Sequence, residues 1–368
     1  MRIGFISIIG ERGQWHLTKN FMRALQDNHE LFLLGRPFSV RDGTFISSIE
    51  DFEIKAKAVY ASHYKLSPEL VRDWILENNI EVVFFNEEYD WSLVDEANKY
   101  AKTVSYLDYF TEEWIPLFDK YNKVIACAEH AYNLFVSRGS KNIVLVDWGV
   151  DDEEFRPREY PDKSTFFHSA GWGGINWRKY GPDVLKIFDA IREEGHKVTM
   201  TYHSQTAIDM YDEEAKAAIA RREADGSLRC VWGNVKHPGL YHTGRINVAP
   251  SRLEGLGLYL PEGLACGLPT ITTDAPPMNQ FVKDGYNGRL VRVTESHQRK
   301  DPYFFPEHSI DLGHLKEIMI ELSSDETELE RMSKNAREFI LEKHSFSRFS
   351  QAVLREFESL EETVPEIA

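Results

Sequence analysis

Residues 251–274 read SRLEGLGLYLPEGLACGLPTITTD. The β-type run RINVAPS leads into this stretch, and the apolar LPTITT closes it, so it describes one passage from strand through helix to strand. Pro261 suits the first position of that helix, where its missing N–H would have no partner. Gly267 is placed as the C-terminal stop, and Pro269 forbids continuation. A helix this short between two apolar runs belongs to a parallel βαβ unit, which puts the chain in the α/β class.

The same stretch carries chemistry. Glu254 and Glu262 stand eight positions apart. Glu262 falls in the first helical turn, where the positive end of the helix dipole keeps a carboxylate ionised. Its two acceptor oxygens are suited to gripping a vicinal diol such as a ribose. The loop before it, Gly255, Leu256, Gly257 and Leu258, lets main-chain N–H groups approach an anion closely. Glu254 opens that loop as an acceptor for sugar hydroxyls. The competing reading is a chance pair in a Glu-rich chain, with Glu262 only capping its helix. Leu260 stands where a dinucleotide-binding fingerprint has its third glycine, which disfavours an NAD site.

Working outward, the alternation of strand and helix covers most of the chain. RIGFISII, WHLTKNFMRALQDN and ELFLLG open it, and SPELVRDWILENN precedes EVVFFN. After the acid- and proline-rich DDEEFRPREYPDKS the rhythm restarts with TFFHSAG, GPDVLKIFDAIREEG and KVTMTYHS. The expected organisation is a first Rossmann-like domain over 1–157, a second over 158–345, and a C-terminal helix over 346–368 that crosses back to the first. Two open parallel sheets offer ligand crevices at the carboxyl ends of their strands, so a substrate is expected in a cleft between the domains.

The 368 residues exceed what one core usually serves, and 42% hydrophobic with 28% charged residues is the composition of a folded globular chain. A formal net charge of −16 argues against a protein whose main task is to neutralise nucleic-acid phosphates or to lie on an anionic bilayer. The sequence reaches no apolar run of the ~20 residues that a membrane-spanning helix needs, and Met1 runs straight into a strand, so a cytoplasmic location is expected. Cys127, Cys230 and Cys266 form no pair at metal-binding spacing.

The order APSRLEGLGLYLPEGLACGLPTITTD followed by QFVKDGYNGRLV resembles the retaining family 4 glycosyltransferases of the GT-B fold, whose E-x7-E motif falls at Glu254 and Glu262. WGVDDEEFRP is similar to the segment that closes the family's first domain, with Trp148 in place of the usual Asn. The resemblance implies transfer of sugar from a nucleoside-diphosphate sugar to a hydroxyl acceptor, such as a saccharide, with retained configuration; the lack of a convincing Asp-x-Asp site in a donor-binding loop adds the expectation that no metal or other cofactor is needed. It implies Arg178 and Lys179 as the basic pair that stabilises the leaving diphosphate, beside the loop of Gly171 and Gly173. Gly13 belongs by resemblance to a glycine-rich loop of the first domain that serves the donor phosphates and acceptor. Asp108 ends a first-domain strand where the family has a histidine near the transferred sugar; the competing reading makes it a cap for the following YFTEEW. Alternatives to transfer are a sugar-nucleotide epimerase or hydrolase of the same fold, and a catalytically silent nucleotide-sugar-binding protein.

Overall fold

The computed structural model describes residues 1–9, 13–37, 49, 53–160, 163–171, 178–299 and 303–361. Contacts divide the chain into two units, Met1–Gly149 with Phe346–Ala368, and Val150–Ser345.

The first unit is built on a seven-stranded parallel sheet. Its strands are β1 (Arg2–Ile8), β2 (Glu30–Arg36), β3 (Ala56–Tyr60), β4 (Val82–Asn86), β5 (Lys102–Leu107), β6 (Lys123–Ala126) and β7 (Ile143–Leu145), in the order β3-β2-β1-β4-β5-β6-β7. All five residues of β4 and the five central ones of β1 are buried, as befits strands covered on both faces by helices. The covering helices include α1 (Gly13–Leu25), α2 (Pro68–Asn78), α3 (Trp91–Ala97) and α4 (Glu129–Ser137). Sequence order reverses between β1 and β4, so the loops after these two strands flank a topological switch point.

The last helix, Phe346–Glu358, packs on this same unit. Phe349 meets Phe21 of α1 edge-on at 5.1 Å, and Trp148 packs on Phe349 at 5.1 Å. The Lys123 ammonium donates to Glu356 Oε2 at 2.7 Å and to the Glu356 carbonyl at 2.6 Å. Trp148 is therefore a buried apolar contact for the returning helix, with 3% of its surface exposed.

The second unit repeats the plan with β8 (Ser164–Gly171), β9 (Met200–Ser204), β10 (Leu228–Trp232), β11 (Gly244–Val248), β12 (Thr270–Thr273) and β13 (Gly288–Val291), ordered β10-β9-β8-β11-β12-β13. Around it lie α5 (Gly181–Glu193), α6 (Glu213–Ala224), α7 (Tyr259–Ala265), α8 (Met278–Phe281), α9 (Leu312–Ser324) and α10 (Glu326–Lys343). Phe166, Phe188, Ile246, Ile271 and Leu315 sit in its core with no exposed surface, each side chain contributing about 1.5–3 kcal/mol of burial. Here the switch point lies between β8 and β11.

Residues 150–157, which the sequence reading places with the first domain, pack in the second unit. Val150 donates its N–H to the His344 carbonyl at 2.8 Å, and Arg337 donates to the carbonyls of Asp152 and Phe155 at 2.9 and 2.8 Å. The unit also holds an antiparallel hairpin that the pattern of the sequence does not announce, β14 (Val293–Gln298) with β15 (Pro306–Ile310).

Candidate active site

The loops that follow β8 and β11 flank the switch point of the second sheet, and they hold Arg178, Lys179, Glu254 and the glycines that the sequence singles out. The loop after β11 runs from Ser251 to Leu258 and enters α7 at Tyr259, two residues earlier than the position of Pro261 suggests. The reason is local. Leu260 N–H reaches the Gly257 carbonyl at 2.9 Å and Glu262 N–H the Leu258 carbonyl at 3.2 Å, so the turn closes upstream. Pro261, at the third helical position, still lacks only an N–H that would have no intrahelical partner. Gly257 has φ of 80°, and a Cβ there would stand 3.1 Å from Leu260 Cδ1 and 3.4 Å from Glu254 Cγ, so the loop folds tightly over Glu254. Gly267, also with positive φ, ends the helix as expected.

Glu254 is buried, 6% exposed, and surrounded by donors. Its Oε2 is 2.6 Å from Arg178 Nη1, and its Oε1 is 2.9 Å from Lys179 Nζ and 2.8 Å from Ser251 Oγ. Burial pushes the carboxyl upward, but Arg178 and Lys179 together outweigh it and hold the group at about 2. Lys179 feels the opposite balance. Burial lowers its ammonium, Glu254 restores part of the loss, Arg178 takes some away, and the result is about 7. Its Nζ also lies 2.8 Å from the centre of the Tyr259 ring, a cation–π contact that only a desolvated ammonium makes strongly. Arg178 keeps about a quarter of its side chain in solvent (25%).

Two cations just ahead of α5 sit at the end of a helix whose dipole disfavours them. Glu254 is the counter-charge that makes their position tenable. Behind them, His168 is fully buried, with Nδ1 2.6 Å from the Val248 carbonyl. Burial, aided by the Lys179 charge, lowers its imidazole to about 4, so the ring is neutral at physiological pH.

Glu262 is half-buried and accepts a hydrogen bond from the Tyr241 hydroxyl at 2.7 Å. Gly255, Leu256 and Gly257 are buried and Leu258 is partly exposed in the same loop. Gly171 ends β8 with φ of 60°. Gly173 lies outside the described residues.

Gly13 and Asp108 belong to the first unit. Gly13 opens α1 and is exposed. Asp108 directly follows β5 and shares a hydrogen bond with Glu87, which follows β4 and also accepts from the Gln14 amide. Burial raises the Glu87 carboxyl above its ordinary range, while the hydrogen bonds with Gln14 and Asp108 act in the opposite direction. The N-cap position of the helical segment Glu112–Lys120 is Thr111, not Asp108. Sequence reasoning overlooked Glu87, Ser251, Tyr241 and Tyr259. A signal existed for the first, since VVFFN is a buried strand and the acids after it stand at its carboxyl end.

Among the described residues no cluster of His, Cys, Asp and Glu is arranged to hold a metal ion, and no helix is long and apolar enough to cross a membrane.

Residues 174–299 match the model of the family described as Glycosyl transferases group 1. The chain is 32% identical over 289 residues to the UDP-N-acetylglucosamine–peptide N-acetylglucosaminyltransferase GtfA subunit of Streptococcus pneumoniae, covering 77% of this chain and 50% of that protein. The Streptococcus agalactiae counterpart is 22% identical over 298 residues, covering 79% and 51%. The chain thus spans about half the length of these curated relatives. Among solved structures, a glycosyltransferase from Rickettsia africae superposes with a TM-score of 0.74 at 12% identity over 99% of both chains. Anabaena Alr3699/HepE, solved with UDP and glucose, superposes with a TM-score of 0.69 at 14% identity over 98% of this chain and 100% of its own. The fold is GT-B, two Rossmann-like parallel-sheet units.

Proposed function

We propose that this chain is a metal-independent, retaining glycosyltransferase that moves a sugar from a nucleoside-diphosphate sugar to an acceptor hydroxyl. The observation that carries this reading is the ion-paired triad of buried Lys179 and Glu254 with half-buried Arg178 at the switch point of the second sheet, with Glu262 one helical turn beyond its glycine loop. A cleaved nucleoside diphosphate leaves with negative charge that fixed cations stabilise well in a water-poor site. Arg178 offers a fork of donors, Lys179 a point charge, and the N–H groups of the 255–258 loop add neutral donors. In this reading the acceptor oxygen bonds the anomeric carbon on the face from which the phosphate oxygen departs, and that oxygen takes the acceptor's proton. Glu254 keeps the two cations in place and meets the sugar hydroxyls, while Glu262 grips the ribose. Uridine diphosphate sugars are the first donors to try, since the curated relatives carry UDP-N-acetylglucosamine in their names and HepE was solved with UDP.

The test is a thermal-shift panel of UDP, GDP, ADP and their sugars, followed by donor consumption with and without acceptors in EDTA. Stabilisation by one nucleoside diphosphate and acceptor-dependent, EDTA-resistant turnover are expected. Changing Arg178 and Lys179 together to Ala is expected to abolish turnover nearly completely. Strict dependence on Mn²⁺ or Mg²⁺ overturns metal independence, and acceptor-independent release of free sugar overturns transfer in favour of hydrolysis.

A further inference from the structure

Tyr180 follows Lys179 and stands where the chain turns into α5. Its backbone lies in the left-handed region, φ 54°, which costs energy for any residue with a Cβ, yet only 2% of the residue is exposed. Surrounding contacts hold it there. The phenol hydroxyl donates to the His308 carbonyl at 2.9 Å and accepts from the Ile310 N–H at 3.1 Å, so both of its hydrogen-bonding roles are spent on β15.

Arg252 completes the attachment. Its guanidinium lies 4.4 Å from the centre of the Tyr180 ring, its carbonyl accepts from His308 N–H at 2.8 Å, and its Nη1 is 3.3 Å from Ser309 Oγ. Its own N–H donates to the Arg178 carbonyl at 2.7 Å, and Ser251 Oγ stands 3.2 Å from that same carbonyl. The peptide carrying the basic pair is therefore gripped before Lys179 by Arg252 and after it by Tyr180. Both grips end on the same hairpin strand.

Resting on the reading of the site as a diphosphate cradle, we propose that Tyr180 is a positioning residue, whose hydroxyl ties the Arg178–Lys179 segment to the β14–β15 hairpin so that both cations face one diphosphate. Arginine and lysine side chains have many rotamers, and a cation that must be gathered at each encounter stabilises an anion less than one already placed. The ring alone accounts for the core packing, whereas the hydroxyl accounts for the tie.

Tyr180→Phe separates the two, because it keeps the ring and removes only the hydroxyl. Affinities for UDP and for uridine are measured by titration on the full chain, with the guanosine and adenosine pairs alongside, and donor turnover is followed in parallel. The expected result is about five- to tenfold weaker binding of the diphosphate with unchanged binding of the nucleoside, and lowered turnover. A purely structural role would weaken both ligands alike, and that outcome, or wild-type values for both, overturns the proposal. Arg252→Lys, which keeps the charge but loses the planar stack and the reach to Ser309, carries the same test if the Phe variant does not fold. A wild-type chain that binds none of the diphosphates overturns the functional reading itself, a result distinct from an active wild type with an indifferent Tyr180→Phe.

Discussion

Glu254 and Lys179 face each other across 2.9 Å, each of them buried, and each sets the charge state of the other. Glu254 restores part of the proton affinity that burial takes from the ammonium, and Lys179, with Arg178, keeps the carboxylate ionised. The pair has consequences for stability and for binding that can be separated.

Glu254→Ala leaves Arg178 without its counter-charge and removes the group that holds the proton on buried Lys179. Such a broken buried pair is expected to cost about 3–5 kcal/mol, and turnover should fall further than nucleotide affinity. Thermal melts of the single variant against the double change Glu254→Gln with Lys179→Met check this, with most of the stability recovered in the double variant and no transfer. In the wild type the carboxyl is held at about 2, below its ordinary 4.5, so its contribution is present above pH 4.5 and fades as the pH falls towards 2.

Lys179 predicts opposite pH trends for folding and for ligand binding. Its ammonium is held near 7, below the ordinary 10.5, so between those values the unfolded chain binds the extra proton and stability rises with pH. A diphosphate prefers the protonated lysine. Its affinity for the free protein is therefore expected to fall above pH 7, by up to about tenfold per pH unit. The groups that act on this lysine are Glu254, Arg178, Glu262 and the Tyr259 ring. Calorimetric titrations of UDP from pH 6 to 9 check the trend, and a pH-independent affinity would remove Lys179 from the phosphates.

Glu262→Gln is expected to weaken nucleotide binding by about 1–3 kcal/mol, the loss typical of a charged acceptor. Tyr241 already donates to Glu262 at 2.7 Å, so Tyr241→Phe should weaken binding by less, about 0.5–1.5 kcal/mol. Wild-type affinity in the Glu262 variant would place the ribose elsewhere.

Asp108→Asn is expected to change turnover or the choice among donor sugars that share one nucleotide, with binding of the free nucleoside diphosphate unchanged. Glu87 supplies the second arm of this test. Because burial raises its carboxyl, the folded chain holds a proton that the unfolded chain gives up, and stability falls as the pH climbs from 4.5 through the raised value. Glu87→Gln stays neutral at every pH and should melt higher than wild type at pH 8. A selectivity profile identical to wild type with a lowered melting temperature would make Asp108 purely structural.

Much of this protein was legible in the linear chain, because period and punctuation act over a few residues. Apolar runs such as VVFF and LFLLG specify doubly covered strands, and Gly267 with Pro269 ends α7 where its backbone must stop. Glu254 and Glu262 were visible as a spaced pair, and Arg178 with Lys179 as cations ahead of a helix. What the spacing left open was partnership. That Glu254 answers those two cations across 75 or more positions depends on β8 and β11 lying side by side at the switch point, which is a property of strand order and not of any local run. The same holds for Glu87 with Asp108, for Trp148 under Phe349, and for Tyr180 on the β14–β15 hairpin. Local sequence determines which elements form, through dihedral preference and burial period; only the packed sheet decides which charges are desolvated together, and that desolvation sets their protonation and their chemistry.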